Sequence, residues 1–393
     1  MSIGTPPYET RPTLVFRAKS LVPASMFDAL VISIVAMAIS VVLFGVFVTF
    51  SGANPFDVFQ VMFQGSFGTE YSWGKTLIQA APLMLTALCV VLPARVGMII
   101  IGGEGCVLLG GLTAALVGQL MPNGGHYFLL TSMIILGMAV GGLWIAFCGA
   151  LRLFRGVNPV ISSLLLNYIA LKILNHCVEG PMHDPNMLDT PSSFPVSGNA
   201  DMPTLMGTIP WTDIHWGLVF GVVACILAWF LMEQTTHGFA TSIVGGNVRA
   251  ARISGLSVAK FSLVACFLGG AAASLAGVIE VVAVQGRANE SGLATNLGYT
   301  GILVAFVSRQ NPLAVVPVAI LLGGVVASGH NLQMHPELHI GSASVQVFTG
   351  ILFLVILGLD TWAGRLTEVK NVWFFRPVRK FFNRKQGVVH AGA

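Results

Sequence analysis

From Gly105 to Leu151 the chain carries no Asp, Glu, Lys or Arg. A helix crosses the hydrocarbon core of a bilayer in about 20 apolar residues. This run is too long for one crossing, and Pro122-Asn123-Gly124-Gly125 supplies the turn that divides it. The rest of the chain is of the same kind. Only 9% of its 393 residues are charged, against about 25% in a soluble domain. Too few charges remain for a soluble surface, which excludes an ordinary soluble enzyme, a disordered chain and a nucleic-acid binder. The composition describes an all-α integral membrane protein. Cys89, Cys106, Cys148, Cys225 and Cys266 lie in apolar stretches and Cys177 in a polar loop, with no C-x-x-C pair, so they read as small buried hydrophobes.

Ten segments read as spans: 27–50, 76–94, 98–120, 127–151, 158–176, 215–232, 260–283, 293–308, 313–330 and 343–363. The eighth and ninth are short for a full crossing. Ten crossings place both termini on one side. That side receives 17 of the 20 basic residues, all but Lys75, Lys172 and Arg287, which makes it the cytoplasm. Residues 1–26 hold Arg11, Arg17 and Lys19 without an apolar core, so they read as a cytoplasmic segment before an uncleaved first span. Residues 27–363 form the membrane domain and 364–393 a basic cytoplasmic tail. The outer loop 177–213 has five acidic residues, six prolines and no Lys or Arg, and reads as an irregular surface lid. Five spans precede it and five follow, so the two five-helix halves are expected to be inverted, a common transporter plan.

The cytoplasmic loop 233–259 contains Gly245-Gly246-Asn247-Val248-Arg249-Ala250-Ala251-Arg252-Ile253-Ser254-Gly255-Leu256. Asn247 can start a short helix and Gly255 can end it. Arg249 and Arg252, three apart, share a face. They suit either a docking helix for a cytosolic partner or a positive anchor that sets topology.

This segment resembles the coupling loop of ABC-importer permeases of the second binding-protein-dependent type, in the subgroup for simple sugars and nucleosides. Four other patches match in order: Ile101-Gly102-Gly103-Glu104-Gly105; Gly156-Val157-Asn158-Pro159-Val160-Ile161-Ser162 with Asn167-Tyr168; Gly269-Gly270-Ala271 through Gly277; and Gly298-Tyr299-Thr300-Gly301-Ile302 with Asn311-Pro312-Leu313. The family's N-I-G-x-E-G-Q signature has Asn and Gln where this chain has Ile100 and Cys106, and Glu stands in its G-V-N-E stretch at Pro159. The resemblance implies a permease subunit in a bacterial inner membrane. It also implies a second, shorter permease, two ATP-binding-cassette subunits docked on the coupling loops (here Gly246, Asn247, Arg249, Ala250, Ala251, Arg252 and Gly255), and an extracytoplasmic binding protein. The longer form with Asn167-Tyr168 resembles the nucleoside type. No cofactor and no catalytic residue is implied.

The path residues suggested by these patches are Glu104, Asn167, Tyr168, Tyr299 and Thr300. An intramembrane carboxylate rarely faces lipid, so Glu104 is either a wall or gate of a path or the cap of a broken helix. Asn158 and Pro159 suit a helix start. Asn167, four residues from Ser163, can bind a solute or another helix. Lys172 can snorkel outward. Glu280, with Gln285, Arg287 and Glu290, reads as a solvated helix end or an outer mouth. Tyr299 can stack on a ring or fill the core.

Gly68-Thr69-Glu70-Tyr71-Ser72-Trp73-Gly74-Lys75-Thr76 imitates a phosphate loop, but its glycines are one residue too far apart. Energy must therefore come from another chain or from an ion gradient, and a secondary transporter is the rival reading. His330, His335, Glu337 and His339 match no standard metal spacing.

Overall fold

The computed structural model describes residues 26–121, 124–187, 190–196, 214–334, 341 and 343–368, with the backbone alone at 26–34, 330 and 360–368. Fourteen α-helices occur among these residues: α1 Met26–Phe50, α2 Pro55–Phe63, α3 Glu70–Ala94, α4 Gly103–Leu120, α5 His126–Arg155, α6 Pro159–Glu179, α7 Gly217–Glu233, α8 Thr236–Gly246, α9 Val248–Ile253, α10 Val258–Ile279, α11 Glu290–Leu293, α12 Leu297–Val307, α13 Pro312–Gln333 and α14 Ala343–Glu368. π-helical turns at Gln64–Gly68 and Glu280–Gln285 lead into α3 and out of α10. Six helices, α3 to α6, α10 with its π turn, and α13, are long and apolar enough to cross a bilayer. They become seven if α7 and α8, bent by 72° at their junction, make one span. The chain is a multi-pass, all-helical membrane protein.

Asn-Pro pairs start three helices. Asn54, Asn158 and Asn311 accept from the N–H groups of Phe56, Val160 and Leu313 at 3.1, 3.0 and 3.0 Å. In each, the proline takes the first helical position, where its missing N–H costs nothing. The first of these starts α2, a helix absent from the ten segments.

Two spans differ from the sequence reading in a common way. The third begins at Gly103, and residues 98–102 are not helical. The eighth is α11, a break at 294–296 and the eleven-residue α12. The ninth is a full 22-residue helix. Helix α6 runs to Glu179, so the outer loop starts later than residue 177.

Helices α3 and α10 pack on each other at the centre. Helix α3 also packs on α12 and α13, and α10 on α4 and α5. In lipid, helices gain nothing from burying apolar surface against one another, so association depends on close van der Waals contact. At Gly277 a Cβ would stand 1.9 Å from the Val107 carbonyl oxygen, so only glycine permits the α10–α4 approach. Ser274 donates to the Gly137 carbonyl at 2.6 Å and ties α10 to α5.

The described part of the outer loop is pinned rather than loose. Ser193 N–H donates to the Ala288 carbonyl and Val196 N–H to the Gly286 carbonyl, both at 2.9 Å. Ala288 N–H donates to Ser193 Oγ at 2.9 Å, and Arg287 stands 3.7 Å from Asp184. The lid thus clips onto the segment after α10. The Glu280 side chain is buried and accepts from Gln285 at 3.1 Å, so this helix end is not solvated there.

Replacing Gly277 by valine should destabilise the α10–α4 contact by about 1–3 kcal/mol. Gly350→Val, at a position with open space, should leave stability unchanged. Thermal unfolding of the two variants in detergent checks this.

Candidate functional site

The breaks before α4 and α12 meet. Glu104, in the first turn of α4, accepts from Gly298 N–H at 2.7 Å and from Asn296 N–H at 3.0 Å, one carboxylate oxygen for each. Both donors belong to the start of α12, where N–H groups lack helical partners. The carboxylate also opposes the positive end of that helix. Asn296 has φ 61°, a left-handed conformation that asparagine tolerates, and its bond to Glu104 helps hold it there. At Gly298 a Cβ would lie 2.1 Å from the Glu104 nitrogen, so the two helix starts abut head to head.

Helix α6 supplies the matching half. Asn167 accepts from Gly105 N–H at 2.9 Å and donates to the Ile101 carbonyl at 2.8 Å. Ser163, one turn earlier, accepts from Ile101 N–H at 2.9 Å. The four-residue spacing of Ser163 and Asn167 places both on the buried face, where they satisfy the non-helical backbone before α4. Asn167 also donates to the Tyr299 hydroxyl at 3.4 Å, which links the two breaks. Glu104 and Asn167 are 5% and 3% exposed, so neither presents a free polar group to solvent.

Beside this frame lies a cavity of about 750 Å³. The 98–102 segment contributes Ile99 and Ile101, α12 contributes Tyr299, Thr300 and Phe306, and α14 contributes Gln346, Thr349 and Phe353. No Asp, Glu, Lys or Arg stands among the described lining residues. Of the residues singled out in the sequence, Tyr299 and Thr300 face the cavity. Glu104 and Asn167 stand behind its wall. Tyr168 is 59% exposed on the outer face of α6, with Lys172 and His176. Asn296 and the α14 residues were not visible as site residues, because only the fold brings them to Tyr299. The side chains of His330, His335, Glu337 and His339 lie outside the described residues, and no group of three metal-ligating side chains occurs among the described ones.

The segment 236–253 folds as two helices, α8 and α9. Asn247 accepts from Arg249 and Ala250 N–H at 3.0 and 3.1 Å and starts α9. After it, Gly255 at φ 77° lets Leu256 N–H donate back to the Ala251 carbonyl at 3.0 Å. Ala251 is buried against a cluster that contains Val96, Met98, Ile100 and Cys106. Gly246, Arg249, Ala250 and Arg252 are exposed, and so is Ile253 at 82%. Arg95 forms an ion pair with Glu233. Gly245 lies so close to Arg95 that a Cβ there would reach its carbonyl oxygen. The α8–α9 unit is therefore joined to residues 95–100, which lead into the break at Glu104.

Residues 72–357 match the family model described as a branched-chain amino acid transport system, permease component. The chain belongs to this permease family. The guanosine ABC transporter permease protein NupP of Bacillus subtilis is 29% identical over 83% of this permease and 92% of its own length. The glucose ABC transporter permease protein TsgB13 of Haloferax volcanii is 30% identical over 80% and 83%. The guanosine ABC transporter permease protein NupQ, also of Bacillus subtilis, is 24% identical over 75% and 92%. No solved structure matches the permease.

Glu104→Gln keeps the volume but turns an amide N–H toward a backbone N–H. The buried unpaired donor should cost about 1–3 kcal/mol, read as a lowered unfolding temperature. Thr300→Ala, at the cavity surface, should leave that temperature unchanged.

Proposed function

We propose that the chain is one of two permease subunits of an ATP-driven importer for nucleosides or simple sugars, resident in a bacterial inner membrane. The observation that carries the solute class is the cavity at Tyr299. Its described lining offers hydroxyls, amides and aromatic rings but no charge, which suits an uncharged ring-bearing solute. A zwitterionic amino acid would need charged partners there. The names of NupP and TsgB13, a guanosine and a glucose permease, point the same way.

In this reading the chain crosses ten times with both termini in the cytoplasm, and its halves are inverted. The exchange of roles between α3 and α10, each packed on the third and fourth spans of the opposite half, supports that inversion. The broken spans at α4 and α12 meet where transporters place their solute sites. The solute path runs along Tyr299 and Thr300, with Glu104 and Asn167 as positioning residues for its wall.

Two ATPase subunits dock on the coupling loops of the two permeases, one of them on α9 through Arg249, Arg252 and the exposed Ile253. Their closure moves the α8–α9 unit. Residues 95–100 carry that movement to the break at Glu104, and the cavity changes the side to which it opens. A binding protein delivers solute to the outer surface. The second permease is a different chain, in line with the two guanosine permeases of Bacillus subtilis.

The complex reconstituted in liposomes should accumulate a nucleoside or sugar only with ATP, ATPases and binding protein present. Uptake by this chain alone on a proton or sodium gradient would establish the rival instead. The Arg249→Ala, Arg252→Ala double variant should fold normally yet lose ATPase association and at least about tenfold of the solute-stimulated ATP turnover, roughly 1.4 kcal/mol. Retained association would remove these arginines from the docking role.

A further inference from the structure

Tyr168, Lys172 and His176 recur every four residues on α6 and form one exposed row. With Ile169 and Ile173 they line an open recess of about 470 Å³. The row begins at the middle of a helix long and apolar enough to cross a bilayer. Among the described residues, the side chains of Lys172 and His176 find no hydrogen-bond or ion-pair partner. The opposite face of α6 is already occupied, since Ser163, Asn167, Ala170 and Leu174 are buried inside the protein.

Other exposed helix faces differ. Helix α5 presents Ile135, Leu136, Leu143 and Phe147, and α7 presents Val223, Ile226, Leu227 and Phe230. Those faces suit acyl chains. A hydroxyl, an ammonium and an imidazole in one row do not, because ionisable groups within a span seek protein or water rather than lipid. The ammonium of Lys172 calls for a negative or acceptor group that the described residues do not bring to it.

We propose that the Tyr168–Lys172–His176 row is the contact face for the second permease subunit, whose facing helix brings a carboxylate to Lys172. This rests on the two-permease reading above. The recess gives room for side chains of that helix, and the i, i+4, i+8 spacing gives a single line of contact along α6.

The test uses the complete transporter, all subunits expressed together, with the photoreactive residue benzoylphenylalanine at position 168 or, as a lipid-facing control, at position 143. Irradiation should join position 168 to the second permease and position 143 to no permease. Adducts from position 168 to lipid alone, to another copy of this chain, or to nothing would overturn the proposal. In parallel, Lys172→Glu should lower the amount of second permease that co-purifies by about tenfold, since like charges would then face each other. Full co-purification would remove the charge pairing. ATP-driven uptake by the unsubstituted transporter separates the two levels: uptake there, together with lipid-only adducts from position 168, overturns the contact face alone, whereas failure of ATP-driven uptake by the unsubstituted transporter overturns the importer reading.

Discussion

The carboxylate of Glu104 ties together two places where the backbone departs from helix, one before α4 and one before α12. Without water, every N–H and C=O in a bilayer must find a protein partner. A helix start leaves its first N–H groups unpaired, and two such starts meet here. Glu104 serves α12 and Asn167 serves α4, while Ser163 serves the non-helical segment before α4. These bonds let the chain keep two breaks in its helices, and the cavity lies beside them. A carboxyl group is tolerated at Glu104 because two N–H groups and a helix end face it.

Around this junction the packing is close where it is central and open where it faces outward. Ser274 and Gly277 bring α10 against α5 and α4 to backbone distance. Such contacts are stiff, because no side chain intervenes to absorb a shift. The same stiffness joins α8 and α9, through Gly245 and Ala251, to residues 95–100. Close contacts therefore run from α9 to the residues that precede Glu104.

Much of this was legible in residues. The apolar runs located the helices, and Asn158-Pro159, Asn247 and Gly255 announced their caps by the hydrogen-bond chemistry of each type. Both readings of Glu104, wall and cap, came from the cost of an intramembrane carboxylate, and the structure places it as the cap behind the wall. The breaks themselves were less legible. Residues 98–102 and 294–296 are as apolar or neutral as a helix, so hydropathy passes over them. The clasp between Ser193 and Ala288 was hidden for a related reason, since backbone bonds between distant segments leave no compositional trace.

By itself the sequence determined a multi-pass helical membrane protein, because so few charges cannot clothe a soluble surface, and it determined where helices start, because capping is local. Only the tertiary structure decided which residues share a site. Glu104, Asn167 and Gly298 meet because glycine lets two helix starts abut, and Tyr168 turns away from its neighbour Asn167 because successive residues on a helix point in different directions. Those are facts of packing, and they come into being only when distant segments close on one another.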